Sequence, residues 1–172
     1  LRQVPLAGDE AVAIMPPPGE SMVAAVGTVW VESVTVVVTL SLLVGAVLLH
    51  YEALTVIGRL LKTRVLHHRV KILALVFALI TVHVLDIVLF ALGYLFLSRE
   101  PGFGTILPWG RMTFADFAYF SAITYTTVGY GDFVPTGAIR FLCGVEALAG
   151  FVLITWSASF MFIEMQRYWG RD

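Results

Sequence analysis

The stretch Thr126-Thr127-Val128-Gly129-Tyr130-Gly131-Asp132 has the clearest chemical pattern in this sequence. A pore that strips water from a cation must put oxygens where the water oxygens were, and a ring of backbone carbonyls does this. Consecutive carbonyls face one side only when successive residues alternate between right- and left-handed conformations. Glycine takes the left-handed one without a steric penalty, and Gly129 and Gly131 stand at alternate positions. Val128 and Tyr130 then point away and can pack behind the strand, fixing the diameter of the ring. The Thr127 hydroxyl adds an oxygen at the inner end.

Such a segment has to be aimed. The apolar residues from Phe114 to Tyr125 just before it are too few to cross a bilayer, which takes about 20, and their length suits a re-entrant helix. Thr113 and Asp116 form a capping-box start signal, and Pro108 and Gly110 mark a loop upstream. A helix ending here directs its partial negative charge at the glycine-containing segment, which favours a cation. Non-helical backbone at membrane depth must be buried in protein or line water.

Three longer apolar stretches are each long enough to span: about 24–49, with Glu32 near one end beside Trp30; 72–97, interrupted by His83 and Asp86; and 141–163, interrupted by Glu146. The apolar fraction is 59%, only 13% of residues are charged and mean hydropathy is +0.88, against about 25% charged in soluble chains. Three such spans in 172 residues leave little room for a soluble reading. A net charge of −1 gives no field for nucleic acid, and the one cysteine, Cys143, allows neither an internal disulfide nor a cysteine metal cluster. No nucleophile with a partnered base and no phosphate loop is present, so an enzyme is not expected. Residues 1–22 lack the order of a secretory signal, and Pro16-Pro17-Pro18-Gly19 reads as extended or flexible. Arg59, Lys62, Arg64, Arg69 and Lys71 between the first two spans place that side in the cytoplasm, and with Arg167 and Arg171 they make seven basic residues inside against four outside (Arg2, Arg99, Arg111, Arg140). The N-terminus is then outside and the C-terminus inside, with Trp30 and Trp109 as outer and Tyr51, Tyr168 and Trp169 as inner interface anchors.

Thr-Val-Gly-Tyr-Gly-Asp at 127–132 resembles the selectivity-filter signature of potassium channels. The layout from Ile72 to Arg167 is similar to the two-helix pore module of bacterial potassium channels: outer helix, pore helix, filter, inner helix. Tyr119-Phe120 stands at the family's paired pore-helix aromatics, Pro135 follows the filter, Arg140 resembles the basic residue that opens the inner helix, and Gly150 matches the gating-hinge glycine. The resemblance implies stacked K+ sites from the carbonyls of Thr127, Val128, Gly129 and Tyr130 with the Thr127 hydroxyl, Gly131 at the outer mouth, and a homotetramer with cyclic symmetry. Tyr130 stands where non-selective relatives carry an acid. One departure concerns Ile123, which occupies the place of a glutamate that in some relatives pairs with the aspartate after the filter. The expectation is that the Tyr119 hydroxyl binds Asp132 instead.

Several residues admit two readings. Asp86 and Glu146 are either charge or proton sensors or, the preferred reading, hydrogen-bond partners between helices, with Thr124 or Tyr125 as candidates. His83, one turn from Asp86, is expected to pair with it. His67 and His68 are either a pH switch or, as preferred, part of a basic surface for anionic lipid. Arg59-x-x-Lys62 breaks off too soon for a voltage sensor and is read as loop. Gly150 is a hinge or a close-packing site, Ser157 and Ser159 line the pore or bond their own backbone, and Cys143 is a small buried apolar residue.

The fold expected is an all-α membrane protein with three transmembrane helices and a re-entrant pore helix per subunit. Its parts are an external segment at 1–23, a first helix with cytoplasmic extension at 24–62, a basic loop at 63–71, a pore module at 72–167 and a tail at 168–172. The first helix is expected at the rim against the second. Passive K+ conduction in a plasma membrane, a prokaryotic inner membrane, is the function this implies. The alternatives are a transporter component, which carries four degenerate filters in one chain, and a non-conducting regulatory subunit. Six residues follow Gln166, so no nucleotide- or calcium-binding domain is expected there, and the trigger lies elsewhere or the pore stays open.

Overall fold

The computed structural model describes residues 18–63, 67–107 and 112–169. It contains four helices: α1 (Pro18–Thr63), α2 (His68–Leu97), α3 (Phe114–Tyr125) and α4 (Ile139–Trp169). Helices α1, α2 and α4 are long and apolar enough to cross a membrane. Much of α1 is β-branched, as at Val34-Thr35-Val36-Val37-Val38-Thr39, which in water would disfavour a helix. In hydrocarbon the helix satisfies every backbone group within itself, and that requirement outweighs propensity. Ser33, Thr35 and Ser41 each return their hydroxyl to the carbonyl four residues back, at 2.8 Å, so they too present no unpaired group.

Helix α1 extends beyond the expected span at both ends. Pro18, whose fixed φ suits a first helical position, opens it, so residues 18–23 are helical rather than extended. At the other end the helix continues to Thr63. Arg59 and Lys62 therefore stand on helix, not loop, and Arg69 and Lys71 stand in the first turns of α2. Pro108, Trp109, Gly110 and Arg111, and residues 1–17, 64–66 and 170–172, lie outside the described residues.

The core forms where α2, α3 and α4 converge. Phe90, Tyr94 and Leu97 of α2 meet Phe117, Phe120, Ile123 and Tyr125 of α3 and Leu142 and Leu153 of α4. Helix α1 packs on both α2 and α4 rather than on α2 alone: Ala46 enters the core, and Gly58 approaches the Phe160 ring of α4. The outward surface is apolar, with Phe77 67% and Leu148 65% exposed, a surface that must meet lipid or protein.

Two short strands were not expected. β1 (Ile106–Leu107) pairs antiparallel with β2 (Val134–Pro135), in the register Ile106 with Pro135 and Leu107 with Val134. Next to them the Thr136 N–H donates to the Thr105 carbonyl at 2.8 Å. This pair ties the loop before α3 to the chain just beyond Asp132.

Candidate ion-binding site

Helix α3 runs over the residues its signals define. The Thr113 N–H donates to Asp116 Oδ2 at 2.7 Å and the Asp116 N–H to Thr113 Oγ1 at 3.4 Å, so the capping box is closed. The bond from the Thr113 N–H foremost, and a second from the Thr113 hydroxyl to Oδ2 at 2.8 Å, hold the Asp116 carboxyl below the usual carboxylate range.

Thr127, Val128, Gly129, Tyr130 and Gly131 follow the last turn of α3 directly. Their backbone alternates: φ is 59° at Thr127, 51° at Gly129 and 82° at Gly131, and Val128 and Tyr130 are not among the positive-φ residues. The two glycines take the conformation expected of them. Thr127 is the addition, as the one non-glycine residue with positive φ among those described, in a region that β-branched side chains rarely enter. Bonds back to α3 hold this shape. The Thr127 N–H donates to the Thr124 carbonyl at 2.9 Å and the Gly129 N–H to the Ile123 carbonyl at 3.0 Å. Helix α3 thus points its negative end at the segment and also templates its course.

All five residues are exposed, with Val128 at 52% and Tyr130 at 72%. The packing expected behind the strand is not made within a single chain. At the far end of the segment the Tyr119 hydroxyl donates to Asp132 Oδ2 at 2.9 Å, the bond expected from the absence of a carboxylate at Ile123, and the Phe133 N–H donates to Oδ1 at 3.1 Å. The Tyr119 ring meets Phe133 edge-on at 5.7 Å.

Behind the segment, Gly150 of α4 lies against the end of α3. A Cβ there would stand 2.0 Å from the Tyr125 carbonyl oxygen, so close packing requires this glycine. Glu146, one turn earlier, is fully buried. It accepts from the Tyr94 hydroxyl and bonds the Ser121 hydroxyl, which also lies 2.8 Å from the Ile87 carbonyl. Thr124 and Tyr125 were the expected partners. Glu146 instead meets α3 one turn further from its C-terminus, where Ser121 is the residue with a hydroxyl.

Asp86 accepts from the Tyr125 hydroxyl at 3.1 Å, as expected, but its nearer partner is His50 Nδ1 at 2.9 Å. His83 bonds the Tyr125 hydroxyl at 3.0 Å, and that hydroxyl in turn bonds Asp86. Ser157 bonds His50 Nε2 at 2.9 Å, whereas Ser159 returns to the carbonyl of Thr155 at 3.1 Å. Cys143 is half-buried, its Sγ 4.0 Å from Thr124 Oγ1. His50 and the buried Glu164, which pairs with Arg167, escaped the sequence reading. The available signal for His50 was an ionisable residue at the edge of an apolar run, a position that usually marks a partner inside the protein.

A family model described as an ion channel matches residues 73–167, more than half of the chain. No curated protein and no solved structure gives a match. The matched region begins in α2 and takes in α3, the alternating segment and α4 up to Arg167.

Proposed function

The chain belongs to the ion channel family, and from that premise we propose that it is one subunit of a potassium-selective channel of the bacterial type, four chains of which enclose one pore. The observation that carries this reading is the alternating backbone at Thr127, Gly129 and Gly131 within Thr-Val-Gly-Tyr-Gly-Asp, directly at the C-terminus of α3. K+ is the cargo. It would shed its water onto the carbonyls of Thr127, Val128, Gly129 and Tyr130 and the Thr127 hydroxyl, with Gly131 at the outer mouth.

One chain supplies one quarter of such a ring. The exposed Val128 and Tyr130 side chains favour assembly, because in a tetramer a neighbouring chain would back them. Residues 72–167 act as the pore module, with α1 packed on its periphery. The basic residues at the α1–α2 connection favour a cytoplasmic location for that end, against anionic lipid, with the N-terminus outside a prokaryotic inner membrane.

The test is K+ and Na+ flux from purified protein in liposomes, wild type beside Gly129→Asp. K+ flux far above Na+ flux, lost in the variant while the oligomer persists, supports the reading. Equal flux of the two cations, or K+ flux that survives Gly129→Asp, rules against it. A non-conducting subunit would show no flux at any pH or voltage while remaining assembled.

A further inference from the structure

A polar cluster at the meeting of all four helices is left unused by the conduction reading. His50 comes from α1, His83 and Asp86 from α2, Tyr125 from the end of α3 and Ser157 from α4. His50 and Asp86 are fully buried. Asp86 Oδ2 accepts from the Tyr125 hydroxyl at 3.1 Å and lies 2.9 Å from His50 Nδ1. The other oxygen, Oδ1, is buried and has no hydrogen-bond partner among the described residues. Buried carboxylate oxygens are seldom left so, and an orphan of this kind needs an explanation, of which a bound ion is one.

The chemistry of the cluster supplies one. A ligand atom from each of His50, His83 and Asp86 lies within 4.8 Å of the other two. Two imidazoles and one carboxylate are the donors of first-row divalent ions of the zinc class, whereas alkali and alkaline-earth ions take oxygen. The Tyr125 hydroxyl, next to both His83 and Asp86, or a water can fill a fourth position. Ser157 is placed to support the site. If His50 Nε2–H donates to Ser157, the Nδ1 lone pair is free for an ion, the outer-shell arrangement that fixes a ligand's tautomer. His83 is only half-buried, so the cluster is open on that side.

We propose that His50, His83 and Asp86 form a binding site for a divalent zinc-class ion that clamps α1 and α2 together beside the end of α3. Ion binding there is read without any measurement of flux, so it stands or falls separately from the selectivity of the pore.

The chain has four histidines, and the two at the α1–α2 connection must be silenced. The full chain carrying His67→Ala and His68→Ala is therefore purified in nanodiscs, stripped with chelator, equilibrated with Zn2+ and desalted. The expected result is about one Zn2+ per chain by elemental analysis, and with Co2+ the visible absorption of a tetrahedral site. Asp86→Asn, which keeps the shape of the side chain, and His83→Gln should each weaken Zn2+ binding by at least about 100-fold, beyond the 10–100-fold typical of an outer-shell partner. Ser157→Ala should stay within that smaller range. Absence of bound Zn2+ and of the Co2+ band in the otherwise wild-type chain overturns the proposal, as does undiminished binding in both ligand variants. The Co2+ spectrum needs no ligand variant, so it decides the matter even where a variant fails to fold.

Discussion

Asp132 shows how a single residue just beyond the glycine-containing segment is held. Its carboxylate takes a phenol on one oxygen and a backbone N–H on the other, and the phenol comes from α3, so the far end of the segment is tied to the helix that precedes it. Tyr119→Phe removes that tie and keeps the ring contact with Phe133. We expect faster amide hydrogen exchange at residues 131–133 in this variant and unchanged exchange in the middle of α2; exchange at 131–133 that stays at the wild-type rate would mean that the phenol does not restrain this segment. Asp116 offers a pH test at the other end of α3. Folding lowers its pKa, so the stabilisation is fully present above the unfolded carboxylate value of about 3.9 and is lost as pH falls through the lower folded value. Asp116→Asn should therefore lower the melting temperature at neutral pH, and the gap from wild type should close in acid. A gap that does not change with pH would assign the effect to something other than the carboxylate.

The elements are held by close approach and by buried hydroxyl–carboxylate bonds. Two glycines of α4 make an internal comparison. A Cβ at Gly150 would meet the Tyr125 carbonyl, whereas one at Gly144 meets nothing within 4 Å. Overpacking a filled contact destabilises by about 1–3 kcal/mol, so Gly150→Ala should lower thermal stability by that order while Gly144→Ala stays near wild type. Wild-type stability with altered opening in Gly150→Ala would favour a hinge role instead. Glu146→Ala would leave the Tyr94 hydroxyl without its acceptor, at about 1–3 kcal/mol for a buried group, while the Ser121 hydroxyl keeps the Ile87 carbonyl. Glu146→Gln, which can still accept from one and donate to the other, should lose clearly less in the same thermal assay; equal losses would mean that volume rather than hydrogen bonding is at stake. Helix α3 was legible to the residue because a local device, the Thr113–Asp116 box, sets its start and the glycine pattern sets its end. For α1 the first helix with its extension was expected to 62 and the helix ends at Thr63, but the burial of His50 was not legible, because a hydropathy window stops at His50 and Glu52 as though they faced water. His50 is buried only because Asp86 and Ser157, far away in the chain, are there to receive it. Two-residue strands carry no period to read, so β1 and β2 left no trace in the sequence.

At the scale of the whole molecule, the exposed apolar surface and the exposed side chains at Val128 and Tyr130 leave faces for lipid or protein to cover. The membrane character of the chain was legible in composition, and the pore module in the order of its parts, since both depend on local runs of residues. The partners of Glu146 and His83 were not, because they depend on the rotation of one helix against another. Native mass spectrometry of the detergent-purified chain should give a species of four copies, and a stable monomer would leave the ring without its other three quarters. Selectivity for K+ is the central claim, and the reversal potential of the purified protein in a planar bilayer tests it most directly. With K+ graded across the membrane and Na+ balancing it, we predict a reversal potential that moves with the K+ gradient by close to the ideal value of about 59 mV per tenfold. A potential that stays near zero under the same gradient would mean that both cations pass alike, and would contradict the account.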